Sequence, residues 1–303
     1  MANLKTLKSR IKSVKSTQKI TKAMKMVAAS RLKKAKNLVE SSRPYSENLN
    51  KLISNLAGDI SFKDNLNERF PILTGNGSEQ TYLLVVLSSD RGLCGGLNSG
   101  VVRYTKKRVN DLVSQGKSVK IICIGKKAYE QIKSVYGKKI IYHKFGIFKN
   151  QIDFKIAQEI AGDIVNRFEE KEFDICEVIF SKFKSAISQE PQSQQIIPAS
   201  ENIDKENSKT DKELVRDFAM PIVYEPNKEV ILDSLLPKNI AIQIYNKLLE
   251  NSASEQGARM AAMESATNNA SKMIKNLTLV YNRTRQANIT RELIDIISGA
   301  NAV

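Results

Sequence analysis

The chain has 303 residues, with 48 Lys or Arg against 32 Asp or Glu and a single His, for a formal net charge of +16. Hydrophobic residues are 41% of it, which is too many for a disordered chain and enough for about two domains. The longest apolar run, Tyr82–Leu87, falls far short of the roughly 20 residues that cross a bilayer.

Met1–Arg43 contains no glycine and no proline, so nothing punctuates a helix there. Apolar residues Leu4, Leu7, Ile11 and Val14 follow 3-4-3 spacing. The pattern resumes at Ile20, Met24 and Val27, then at Leu32, Ala35 and Val39. The step from Val14 to Ile20 predicts a break in the heptad register and a seam that drifts. Gly58 and Asp59 are expected to close this helix, giving a first segment of 1–58. Up to Asn37 the segment carries twelve Lys or Arg and no acid. Such a face suits plain solvation, nucleic acid, an anionic membrane or an acidic protein surface. No apolar signal-peptide core follows the N-terminus, and its Lys-rich start reads as mature sequence.

Residues 59–78 read as a polar linker, and 79–225 alternate strand and helix signals. Expected strands are Tyr82–Leu87, Val119–Ile124, Lys139–His143 and Ile175–Phe180. Helices are expected at Val101–Ser114, Ala128–Val135 and Ile152–Glu170. This rhythm predicts an open, largely parallel α/β sheet. Ser200–Lys212 is a polar insertion, and Ala219–Tyr224 suits an edge strand. Pro226 and Pro237 are expected to bracket the exit from the domain. In the last segment, 226–303, Ala266, Ala270, Met273, Leu277, Val280, Thr284 and Ala287 step 4-3-4-3-4-3. That is coiled-coil spacing, and the first segment is the expected antiparallel partner. The expected fold is a Rossmann-like open α/β domain carrying a long antiparallel coiled coil of the terminal helices.

Candidate chemistry is sparse. Ser88–Asn98 is a glycine-rich loop between a strand and a helix, where doubly wound folds bind phosphate. Neither GxGxxG nor the Walker pattern is present, so a tight structural or contact turn is expected. Cys94 would need a histidine partner to act as a nucleophile, and His143 is the only histidine in the chain. The spacing of Cys94, Cys123 and Cys176 suggests neither a metal site nor a disulfide framework. Met24, Met26, Met260 and Met263 read as adaptable packing. Gly257, inside Ser254–Met260, marks a tolerated glycine, a hinge or a contact patch. No catalytic, cofactor or metal residue is expected.

Ile289–Ala302, reading ITRELIDIISGANA, resembles the C-terminal signature of the gamma-subunit family of F-type ATP synthases. Asn282–Ala287, Ser254–Met263, the SSDRGLCGGLN loop at 88–98 and Thr17–Ser30 are similar to that family too, across nearly the whole chain. The polar stretch near 200–212 departs from the pattern.

The resemblance implies a non-catalytic central rotor shaft, one copy per complex. Its paired terminal helices would turn inside a ring of alpha and beta subunits, and its α/β domain would sit beside the epsilon subunit and on the c-ring. Proton-driven rotation would force the beta catalytic sites through their conformations. The location implied is peripheral, on the cytoplasmic face of the inner cell membrane, with no direct membrane insertion and no nucleic acid. Matching motif positions mark Met24, Lys25, Arg259, Arg285, Gln286, Thr290 and Glu292 as sites where shaft and ring communicate. Met24 is expected opposite the segment holding Thr290 and Glu292. The residues alone also permit a basic nucleic-acid-binding coiled coil.

Overall fold

The computed structural model describes residues 4–60, 69–149, 152–186, 188–199, 225 and 227–300. Its elements are α1 (Leu4–Ile60), a single helical turn (Pro71–Thr74), β1 (Thr81–Leu87), α2 (Leu97–Ser114), β2 (Ser118–Ile124), α3 (Lys126–Tyr136), β3 (Ile140–Lys144), α4 (Phe154–Glu169), β4 (Ile175–Phe183), β5 (Gln189–Ile197) and α5 (Lys228–Ala300). They divide into two units, Met1–Ser30 with Arg259–Val303, and Arg31–Ala258.

In the second unit the strand order is β3-β2-β1-β4-β5. β1 pairs in parallel with β2 and β4, and β2 with β3, whereas β5 runs antiparallel to β4. Alternate residues of a strand point to opposite faces. Tyr82, Leu84 and Val86 therefore meet Val101, Val109, Leu112, Ala128 and Ile132 from α2 and α3. Leu83, Val85 and Leu87 meet Ile160, Ile164 and Phe168 of α4 and Ile240, Ile244 and Leu248 of α5. Helices cover both faces, which is why β1 reads as an unbroken apolar run. A second cluster joins Leu49, Ile53 and Leu56 of α1 to Leu232 and Leu236 of α5.

Asp174 ties the start of the sheet together. Its carboxylate accepts from Asn76 Nδ2 (2.7 Å), Ser78 Oγ (3.1 Å), Gln80 N (2.9 Å) and Thr81 N (2.8 Å). Burial works against the charge, but the four donors outweigh it and hold the Asp174 carboxyl below the usual carboxylate range. A lowered carboxyl contributes stability that is present above its unfolded value and lost as pH falls through the folded one. Asp174→Asn is expected to cost about 1 kcal/mol near neutral pH, after allowance for solvent screening. That deficit should shrink below about pH 4, as pH-dependent thermal unfolding would show.

Three boundaries differ from the sequence expectation. α1 passes through Gly58 and Asp59 to Ile60, and it also contains Pro44. α5 passes through Pro237, which therefore closes nothing; Pro226 lies outside the described residues. Both in-helix prolines are exposed, so water can satisfy the carbonyl each leaves free, and the buried seam on the opposite side keeps the helix running. β5 had no counterpart in the sequence reading. Its sequence QEPQSQQII is polar because it forms one edge of the sheet and stays half-exposed over most of its length. The expected edge strand Ala219–Tyr224 and the insertion 200–212 lie outside the described residues.

Candidate partner-binding surfaces

The glycine loop is a closed knot. The Asn98 side chain accepts from Ser89 N (3.1 Å) and donates to Ser89 Oγ (2.8 Å) and Cys94 Sγ (3.1 Å). Asp90 accepts from Lys126 N (3.3 Å) and Phe148 N (3.2 Å). A carboxylate of the loop thus accepts from the first residue of α3. Cys94 is buried, and its hydrogen-bond contacts go to Ser89, Arg91 and Asn98. His143 is instead exposed on β3 and stacks on Tyr129 at 4.6 Å between centroids. Burial pushes the Cys123 thiol up to about 12 and the Cys176 thiol well above its ordinary value, so neither offers a thiolate at neutral pH. The Asn98 and Asp90 hydrogen bonds hold the loop as a tight turn.

The first unit holds all seven residues that the family resemblance marks as candidate contacts. Within this unit, side-chain pairs of the described residues join α1 to α5: Gln18 Nε2 donates to Ser271 Oγ (2.6 Å), the hydroxyls of Thr21 and Thr267 lie 2.8 Å apart, and Lys25 Nζ donates to Glu264 Oε1 (2.6 Å). Numbers rise along one helix as they fall along the other, so the pair is antiparallel, as expected.

The seams differ from those read in the sequence. On α1 the inward positions are Leu4, Leu7, Ile11, Val14, Gln18, Thr21, Lys25 and Ala28, an unbroken 3-4 alternation. Ile20 and Val27 point outward, 57% and 54% exposed. The apparent break at Val14 is two polar seam residues that find hydroxyl partners across the interface. On α5 the inward positions are Met263, Thr267, Ala270, Ile274, Leu277, Tyr281, Thr284 and Asn288. Ala270, Leu277 and Thr284 were correctly placed. Met273, Val280 and Ala287 lie one residue off the seam and are exposed.

The site residues distribute along this pair as follows. Met24 is half-buried, and Lys25 is engaged by Glu264. Arg259 is buried. Arg285, Gln286, Thr290 and Glu292 are all exposed on α5. Met24 does not lie opposite Thr290. The three cross-helix pairs place it beside Ser265 and extrapolate Leu4 to about Arg285. α5 therefore continues past the described start of α1. There Leu293, Ile294, Ile296 and Ile297 are 53–67% exposed. Gly257 lies inside α5, which runs on through it. A Cβ at that position would sit 3.0 Å from Phe183 Cε2, so close packing explains this glycine.

Comparison with known proteins places this arrangement. The family model described as ATP synthase matches residues 3–303. The ATP synthase gamma chain of Pelagibacter ubique is 47% identical over the full length of both chains, and that of Dinoroseobacter shibae 48%. Among solved structures, a chain of the central stalk and c-ring of the Tetrahymena thermophila mitochondrial ATP synthase is 27% identical. Its TM-score is 0.61, covering 82% of this chain and 99% of that one. A chain from the Euglena gracilis mitochondrial ATP synthase shares the fold at TM-score 0.66 and 18% identity, covering 99% and 94%.

Proposed function

Because this chain belongs to the ATP synthase gamma-chain family, we propose that it is the central rotor shaft coupling proton-driven rotation of a c-ring to conformational cycling of catalytic beta subunits. Its partners are the alpha and beta subunits around the shaft, with the epsilon subunit and c-ring at the α/β domain. Catalysis resides on the beta subunits. The complex sits peripherally on the cytoplasmic face of the inner cell membrane. The observation that carries this reading is the antiparallel pairing of α1 and α5 together with the apolar end of α5, which stays exposed among the described residues.

A shaft must stay stiff while its contacts with the ring form and break. Pairing two helices along a continuous seam resists bending better than either helix alone. Exposed ion pairs contribute only about 0–1 kcal/mol each, so charged side chains on the shaft can pass a surrounding surface without locking to it. The exposed isoleucines at the end of α5 would turn against an apolar sleeve with no hydrogen bonds to break. Arg285, Gln286, Thr290 and Glu292 lie on the stretch entering that sleeve, where they would contact the ring; Met24 and Arg259 support the pair from within it. Ending the chain after Met263 removes the partner of most of the α1 seam. Proton-driven ATP synthesis by the purified complex is then expected to disappear. Full synthesis by that truncated form, or failure of the intact chain to co-purify with alpha and beta subunits, would overturn the reading.

A further inference from the structure

One edge of the sheet, within the unit Arg31–Ala258, carries rings and lysines together. From Lys126 to Phe145, across α3 and β3, six lysines stand against one acid, Glu130, and there is no arginine. β3 is an edge strand, and three rings pack beside it at the surface. Tyr129 and His143 stack at 4.6 Å between centroids, and Phe145 lies 5.2 Å from Tyr129 and 4.8 Å from His143. His143 is exposed, and Phe145 is 40% exposed. Lys133 Nζ sits 5.5 Å from the centroid of Tyr129. Lys138 and Lys139 lie in the turn that leads into β3. They mark the other end of a strip roughly 17 Å long at 3.4 Å per residue.

The carboxylates joined to this stretch are already occupied. Glu130 pairs with Lys127 at 2.7 Å and Lys126 at 3.8 Å, and Glu159 pairs with Lys144 at 2.5 Å. Asp90 accepts from the backbone amides of Lys126 and Phe148. Lys133, Lys138 and Lys139 form no ion pair among the described residues. Lysines alone would suit any sheet edge, because they discourage pairing with another chain. Exposed rings do the opposite. The edge therefore fits a partner that shelters rings and also takes up loosely placed positive charge. We infer that the α3–β3 edge rests on anionic lipid headgroups at a membrane surface. Rings with an apolar body and a polar tip settle at the headgroup level, and clustered lysines are drawn to a negative leaflet. A protein partner would favour arginine, which is enriched at protein interfaces while lysine is depleted. No helix among the described residues is long and apolar enough to cross a membrane; the contact is with the headgroup layer alone. This deepens the rotor reading and rests on it, since that reading puts the α/β domain beside a c-ring. Exposed charge pairs are individually weak, so the edge can slide over headgroups as the domain turns.

The chain has no tryptophan, so Phe145→Trp places a single indole reporter on this edge. The full-length variant is mixed with phosphatidylcholine vesicles containing about one-third phosphatidylglycerol, with and without a nitroxide on the lipid headgroup. Blue-shifted emission and quenching by the nitroxide are expected. The lipid concentration that gives half the quenching should rise at least about tenfold when Lys133, Lys138 and Lys139 are all changed to Gln, and likewise in pure phosphatidylcholine. About 0.5 M salt, where the screening length is a few ångströms, should act in the same direction. The lysines of α1 can also draw the chain to vesicles, so sedimentation does not identify the edge; quenching at position 145 does. Emission that anionic vesicles neither shift nor quench overturns the inference, whether or not the chain sediments with them. Equal quenching in pure phosphatidylcholine overturns it too. Both results leave the rotor reading standing, because assembly with alpha and beta subunits decides that separately. If single-stranded DNA or the alpha–beta ring changes the emission and vesicles do not, that partner is the occupant and the inference is wrong. Should Phe145→Trp fail to fold, the same vesicles are read with an environment-sensitive dye on Lys138→Cys. The chain's own Cys94, Cys123 and Cys176 are buried, which leaves the introduced thiol as the one labelled.

Discussion

Gly125→Ala is expected to cost at least about 4 kcal/mol, because it combines backbone strain with a collision that cannot relax. Gly125 links β2 to α3 at φ +103°, a conformation that a side chain resists. A Cβ there would sit 2.1 Å from Ser88 O and 2.7 Å from Ser88 C. Ser88 has no room to retreat. Its N–H donates to Ile124 O at 2.8 Å, and its hydroxyl accepts from Ala128 N at 3.0 Å. Moving it would uncouple β1 from α3 at the centre of the sheet. Total stability of a domain is about 5–15 kcal/mol, so most of the fold is at stake. Urea unfolding of the purified chain would measure the loss, and a midpoint unchanged from the parent would contradict this account of the turn.

The second large effect is expected at Arg108, on α2. Its Nε donates to Glu177 Oε2 at 2.9 Å and its Nη2 donates to Glu177 Oε1. That two-point grip holds the guanidinium above its ordinary pKa, against the cost of burial. The Glu177 side chain on β4 is 6% exposed, whereas that of Arg108 is 31% exposed. Arg108→Met would leave a buried carboxylate without its cation, at a cost of about 3 kcal/mol, the lower end for a broken buried pair because the arginine is partly solvated. Replacing both partners, Arg108→Met with Glu177→Leu, should recover most of the loss, since well-packed apolar substitutes are often neutral. A double variant as unstable as the single one would show that the pair shapes the sheet in some further way.

Much of the architecture was legible because it depends on local signals. The glycine- and proline-free start of the chain announced α1, and the apolar run at 82–87 announced a strand buried on both faces. The misread seams have a common cause. On α5, Met273 and Ile274 are both apolar, as are Val280 and Tyr281, so two stripes one residue apart fit the same spacing. Which one faces inward is decided by the partner helix, through pairs such as Thr21 with Thr267. On α1, a search for apolar residues skips Gln18 and Thr21, whose burial makes sense only once Ser271 and Thr267 lie opposite. β5 escaped notice because an edge strand of glutamines carries little hydrophobic pattern. The Arg108–Glu177 pair is invisible for a different reason: 69 positions separate its members, and only the sheet brings them together. The candidate site residues all fall on α1 and α5, but the register that separates Met24 from Thr290 belongs to the pairing of the two.

A disulfide across the seam tests the shaft most directly. In the chain with Thr21→Cys and Thr267→Cys, oxidation links α1 to α5 where the native hydroxyls are 2.8 Å apart. The oxidised chain is assembled with immobilised alpha and beta subunits, carries a visible marker on its α/β domain, and is supplied with ATP. Stepwise rotation of the marker in one direction, equally fast before and after reduction, is the predicted result. A marker that stands still while the ring hydrolyses ATP, or that turns only once the bond is reduced, would contradict the claim that these two helices rotate as one body.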